Sequence, residues 1–113
     1  NEELRKNYFK LKGKGRHIIF CAGMYGKNIC YEYKKHEINV DCFCDNDVDK
    51  WGKKIDGIIC ISPKELKRDD FIVVAKEIPD DIVKELKMLG YAKITTIWEE
   101  MRALKQVMPS CIP

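Results

Sequence analysis

The chain has 113 residues, 45% of them apolar and 35% charged, with 21 basic against 18 acidic side chains and a net charge of +3. That is one domain, large enough for a core without metal or disulfide staples and too apolar to be disordered. The basic excess is small and scattered, which excludes an electrostatic nucleic-acid footprint, and no apolar run nears the roughly 20 residues of a membrane span. The start, Asn1-Glu2-Glu3-Leu4-Arg5-Lys6, lacks an apolar signal core. With no initiator Met, the chain is expected to be a piece of a longer one.

In chain order, Leu4, Tyr8 and Leu11 at helical spacing predict an amphipathic lead-in helix, ended by Gly13-Lys14-Gly15. Residues 1–15 are read as this lead-in and 16–113 as the domain proper. His17–Cys21 is a continuous apolar run, as in strands buried on both faces of a parallel sheet. A tight turn at Ala22–Gly26 and a helix over 25–36 follow, with Tyr25, Ile29 and Tyr33 four apart. Asn39–Cys44 is a second strand, stopped by the turn formers Asp45-Asn46-Asp47. Asp56-Gly57 between apolar residues signals a turn, and Ile58–Ile61 a strand. Ser62 with Glu65 makes a capping box with Pro63 at the first helical position, predicting a short helix through Leu66. Phe71–Ala75 is a further strand. A helix opens at Pro79 with Asp80 and Asp81 in its first turn, buries a stripe of Ile82, Val83, Leu86 and Leu89, and is capped by Gly90. Lys93–Trp98 reads as the last strand. Thr96 and Glu99 suggest a capping box for a final helix carrying Met101, Leu104 and Val107.

Strands alternating with helices through short links predict an α/β fold, a Rossmann-like three-layer α/β/α sandwich with a mostly parallel sheet of about five strands. Ligands of such sheets bind beyond the carboxyl ends of the strands, where Gly23, Gly26, Asp45 and the loop after Ala75 should meet.

Six cysteines raise the question of disulfides or zinc. No Cys-x-x-Cys pair exists, and neither His17 nor His36 stands at zinc spacing from a cysteine pair. Free, mostly buried thiols are expected, with Cys111 and Cys30 the most reactive. Asp45-Asn46-Asp47 lacks the Gly and Glu that would complete a calcium loop. Trp51 and Trp98 are read as packing residues. Tyr31 and Lys35 have the spacing of the short-chain dehydrogenase pair, but they stand on the helix directly after the glycine turn, far from where that pair works.

The chemistry concentrates at residues 21–27. A glycine turn between a strand and a helix lets backbone approach a phosphate, and the helix N-terminus supplies free N–H groups and partial positive charge. Cys21-Ala22-Gly23-Met24-Tyr25-Gly26 matches the second and third glycines of G-x-G-x-x-G, with Cys21 in place of the first. Asp45 lies 22 residues beyond Gly23, near the offset of about 20 for a ribose-binding acid. The candidate site is therefore Gly23, Met24, Tyr25, Gly26, Asp45 and Asn46, with no catalytic residue and no metal ligand assigned. Such an acid would favour NAD over NADP. The competing reading is that the glycines only permit close strand–helix packing.

The runs IIFCAGMYGKNI, VDCFCDND, WGKKIDGIICISPKEL, FIVVA and IVKELKMLGY resemble the nucleotide-binding Rossmann modules of bacterial polysaccharide-biosynthesis enzymes. Among these are the N-terminal domains of nucleotide-sugar dehydratases, epimerases and sugar acyltransferases. The resemblance implies NAD(P) or a nucleotide-sugar held at Gly23, Gly26 and Asp45, in the cytoplasm, within a larger enzyme such as a glycosyltransferase or another transferase. A small-molecule nucleotide, further domains of the parent chain and a second copy in a homodimer are the partners to expect; nucleic acid and a membrane span are not. By itself the chain is expected to catalyse nothing. The alternatives are an interaction or regulatory domain with an empty ancestral site, or a fragment of an NAD-dependent oxidoreductase or methyltransferase.

Overall fold

A computed structural model describes residues 6, 8, 10, 12, 13 and 15–107, the side chains only as far as Lys105. Leu4, Leu11 and Cys111 lie outside the described residues. Of the lead-in segment, Lys6, Tyr8, Lys10 and Lys12 are helical and Tyr8 is buried.

Six strands form one sheet: β1 (His17–Phe20), β2 (Cys42–Cys44), β3 (Lys54–Ile55), β4 (Ile58–Ile61), β5 (Phe71–Val74) and β6 (Lys93–Thr96). Beside the helical residues of the lead-in, three further α-helices accompany them among the described residues: α1 (Met24–Lys35), α2 (Asp80–Met88) and α3 (Ile97–Val107). The sheet order is β3-β4-β2-β1-β5-β6. All neighbours are parallel except β3 and β4, which form a hairpin. The five expected parallel strands are thus present, and β3 adds an antiparallel edge. The Asp56-Gly57 turn builds it: both residues have positive φ, 52° and 81°, as a two-residue type I′ hairpin requires. The chain runs outward from central β1 through β2 to β4, then returns to the other side for β5 and β6. The strand order reverses between β1 and β5, which makes that gap the crevice of a Rossmann-like fold.

Alternate residues of each strand face opposite helical layers, as the pleat demands. Ile19, Phe43, Cys60, Phe71 and Val73 pack with Ile29, Tyr33, Ile97 and Leu104 from α1 and α3. Ile18, Phe20, Cys42, Cys44, Ile72 and Val74 pack with Leu86 of α2. Cys42 and Cys44 share a face, as their spacing predicts.

Several boundaries differ from the sequence reading. Residues 62–66 give only a 3-10 turn, Pro63–Glu65, with Glu65 Oε2 accepting the Ser62 N–H at 2.9 Å. Ile97 and Trp98 belong to α3, because the Thr96 hydroxyl accepts the Glu99 N–H at 3.3 Å and starts the helix there. Leu89 is 55% exposed. The helix stops at Met88, and Gly90, at φ 95°, turns the chain. The Tyr91 N–H then reaches Leu86 O and the Gly90 N–H reaches Lys87 O, a Schellman cap that sends Tyr91 to the core in place of Leu89.

The amino edge of the sheet is closed by two carboxylates. Asp41 Oδ2 accepts the His17 N–H at 2.7 Å and Lys12 Nζ at 3.1 Å. Asp70, fully buried, accepts Arg16 Nε at 3.0 Å, Arg16 Nη2 at 2.9 Å and the Lys67 N–H at 2.7 Å.

Candidate functional site

The carboxyl edge is built differently. At the end of β1 the chain must turn into α1, and Cys21 does this at φ 85°, a left-handed conformation that disfavours any side chain bearing a Cβ. This is the position of the first glycine of the fingerprint, so Cys21 departs from the residue type and keeps the backbone shape. Gly23 is the N-cap of α1, and a Cβ added there would meet nothing within 4 Å. Gly26 is the opposite case: a Cβ would stand 2.1 Å from Cys21 O and 3.1 Å from Cys21 C. One glycine therefore leaves space outside the turn, and the other lets helix and strand touch. These are the two jobs of the second and third fingerprint glycines.

No side chain caps α1, and its first turn holds no acid. The other helical starts differ. Asp47 accepts the Asp49 N–H, Thr96 accepts the Glu99 N–H, and α2, though also without a side-chain cap, opens with Asp80 and Asp81. The first N–H groups of α1 are thus left to solvent or a ligand beside an open glycine. Met24 is 76% exposed there and Tyr25 half-buried.

Asp45 joins this turn from the end of β2. Its Oδ2 accepts the Ala22 N–H at 2.8 Å and Lys50 Nζ at 3.4 Å, and its Oδ1 accepts the Asp47 N–H at 2.9 Å. Burial pushes the carboxyl up, but the N–H groups of Ala22 and Asp47 and the Lys50 ammonium outweigh it and hold it below its ordinary range. The carboxylate fastens the strand-end loop to the glycine turn. The side chain is 14% exposed, because the turn backbone draws it inward. Lys50 also places a cation beside the acid on which the preference for NAD over NADP rests. Asn46 is exposed and borders a small cavity of about 40 Å³ with Phe20, Pro63 and Leu66.

Two aromatic residues read as packing are half in solvent at this edge. Trp51, 37% exposed, donates Nε1–H to Asp45 O at 2.7 Å. Trp98, 45% exposed, donates to Glu77 O at 2.9 Å. Only the fold shows that both follow strands at the sheet's carboxyl edge, Trp51 after the loop that leaves β2 and Trp98 in the first turn of α3.

The five described thiols are free. Cys30 is 1% exposed, against the expectation that it reacts readily, since it lies on the inner face of α1 with Ile29. Cys21 is half-buried; burial, with Asp45 beside it, pushes its thiol up to about 11, so it stays protonated and is a poor nucleophile at neutral pH. Among the described residues no three His, Cys, Asp or Glu side chains converge as metal ligands, and no helix is long and apolar enough to cross a membrane.

Gly26→Ala is expected to destabilise the fold by about 1–3 kcal/mol, since the methyl overlaps Cys21 backbone instead of a yielding side-chain tip. Gly23→Ala, with open space around it, should cost well under 1 kcal/mol. Denaturant unfolding of both variants checks this; equal losses would mean the turn is looser than described.

A family model described as C2185-like, N-terminal, matches residues 13–97. No curated protein and no solved structure matches the chain. The matched span runs from the residue that ends the lead-in segment to the first residue of α3 and so takes in the whole sheet, the glycine turn and Asp45. The chain belongs to the C2185-like family, and this sheet is the family's N-terminal domain.

Proposed function

We propose that this domain binds the phosphates of a nucleotide, NAD(P) or a nucleotide-sugar, at Gly23–Gly26, and works as the binding module of a larger cytoplasmic enzyme of polysaccharide biosynthesis. The observation that carries the reading is the uncapped α1 N-terminus behind an open Gly23, at the crevice where the strand order reverses. Phosphate oxygens would accept the N–H groups of the first turn and gain from the helix dipole. Asp45 holds the turn in shape through Ala22, and its Oδ1, which accepts only the Asp47 N–H, has a lone pair left for a ribose hydroxyl. Catalysis is left to other parts of the parent protein, because the thiol at this edge, Cys21, is protonated and His17 is buried at the opposite, amino edge of the sheet, so the two form no nucleophile–base pair.

A thermal-shift panel of NAD, NADP, UDP-sugars and S-adenosylmethionine tests this. At about 100 times Kd the bound nucleotide should add roughly 2.7 kcal/mol of stability. A flat response at millimolar ligand would sink the reading and favour a second one, a structural module whose Asp45 serves only the turn.

Asp45→Ala distinguishes the two roles. It should lower stability by about 1–3 kcal/mol, because the Ala22 N–H is left buried without its acceptor. It should also weaken nucleotide binding by about tenfold or more as the turn loosens. Calorimetry with chemical unfolding reads both, and a variant as stable as wild type would remove the clamp.

A further inference from the structure

Two helix starts and one loop meet beside the glycine turn on the β5–β6 side. Tyr25 stands in the first turn of α1, two residues past Gly23. Trp98 stands in the first turn of α3, and Glu77 in the loop after β5. The Trp98 Nε1–H is tied to Glu77 O at 2.9 Å, and its ring meets Tyr25 edge to face, with centroids 5.8 Å apart at 69°. Trp98 is 45% exposed, yet fixed by a hydrogen bond at its N–H and by a ring contact. A large apolar face thus stands in solvent with little rotational freedom left to lose on binding. It also lies on the β5 side of the gap between β1 and β5, the side on which a ligand held by phosphates at Gly23 would continue.

We infer that Trp98, braced by Tyr25 and the Glu77 carbonyl, is a stacking platform for the sugar ring of a nucleotide-sugar whose diphosphate lies on the glycine turn. This rests on the phosphate reading above. A pyranose offers a face of C–H groups to an aromatic ring and hydroxyl donors around its edge. The neighbours of the platform suit those hydroxyls: Glu77 is an exposed carboxylate, and Glu99, next in the chain and exposed, accepts from the Thr95 and Thr96 hydroxyls with a lone pair left on each oxygen.

The test is calorimetry of UDP against UDP-glucose and ADP against ADP-glucose, with NAD as a fifth titrant, on wild type, Trp98→Leu and Trp98→Phe, each checked for folding by circular dichroism. In wild type one sugar nucleotide should bind roughly threefold to tenfold tighter than its parent diphosphate, the range of an aromatic contact. The gap should close in Trp98→Leu and narrow in Trp98→Phe, which carries the test if the leucine variant does not fold. Diphosphates that bind with no gain from the sugar, a gap that survives in the substituted proteins, or NAD binding tighter than either sugar nucleotide would each overturn the platform while leaving the phosphate site standing. Failure of every titrant to bind would remove the phosphate site and the platform with it.

Discussion

Asp70→Ala is expected to destabilise the protein by about 3–5 kcal/mol. Asp70 is fully buried and takes a two-pronged contact from Arg16 plus the Lys67 N–H. Its removal leaves a guanidinium whose side chain is 29% exposed without a counter-charge, held only by the Glu65 carbonyl and the Cys42 sulfur, and takes the acceptor from the Lys67 N–H. The loss also lies between the start of β1 and the start of β5, the two strands that flank the crevice. By contrast, Lys35 and Glu32 form a pair with side chains 43% and 27% exposed, and breaking it should change stability by well under 1 kcal/mol. For a domain holding about 5–15 kcal/mol in all, the first change endangers folding at 37 °C and the second is silent. Urea unfolding of the two variants checks the contrast; a loss below about 1 kcal/mol for Asp70→Ala would show that the ion pair is replaceable by water.

The second large effect is a dependence on pH. His17 is fully buried among Tyr8, Tyr33 and Phe71. Its Nδ1 faces Asn39 O at 2.8 Å, a carbonyl that can only accept, so the neutral tautomer carries its proton on Nδ1. Nε2 has no hydrogen-bond partner among the described residues, and a second proton there would have nowhere to go. Burial, aided by Lys12 and opposed by the Asn39 carbonyl and Asp41, lowers the imidazole from 6.5 to about 4. Between those values the unfolded chain binds a proton that the folded chain refuses. The contribution is therefore complete above pH 6.5, declines as pH falls, and levels off below about 4. The difference corresponds to about 3 kcal/mol. Glu100 works in the opposite sense: burial raises its carboxyl, so the folded chain takes up its proton more readily. The carboxyls of Asp41 and Asp45 are lowered and matter at more acid pH. Comparing wild type with His17→Phe cancels these shared terms and keeps an aromatic ring in the cage. Wild type should lose about 3 kcal/mol more than the variant between pH 7 and pH 4, and parallel profiles would show that His17 titrates normally.

The sequence made the sheet legible because its strands are buried on both faces. His17–Phe20 and Phe71–Val74 are unbroken apolar runs, and such runs spaced by helical periodicity leave few alternatives to a parallel sheet. The Asp56-Gly57 turn was legible as well, but β3 was not, since two residues, Lys54 and Ile55, show no period. The apolar Ile97-Trp98 extends a strand pattern, and only the Thr96 hydroxyl on the Glu99 N–H decides for helix. Of the site, the glycines could be read because each answers to a backbone constraint. The inward turn of Asp45 onto Ala22 could not, because it depends on where β1 and β2 place their ends. Nor could the exposure of Trp51 and Trp98, which composition assigns to the interior.

The central claim, a nucleotide's phosphates at the α1 N-terminus, is tested most directly by following the backbone amides of the 15N-labelled chain by NMR while UDP and ADP are added. The amides of Gly23, Met24, Tyr25 and Gly26 should move first and furthest, saturably, with Ala22 following as the Asp45 contact adjusts. Saturable shifts centred elsewhere, for example around Lys34, Asn39 and Gly57 at the opposite edge, or no shifts at millimolar nucleotide, would contradict it.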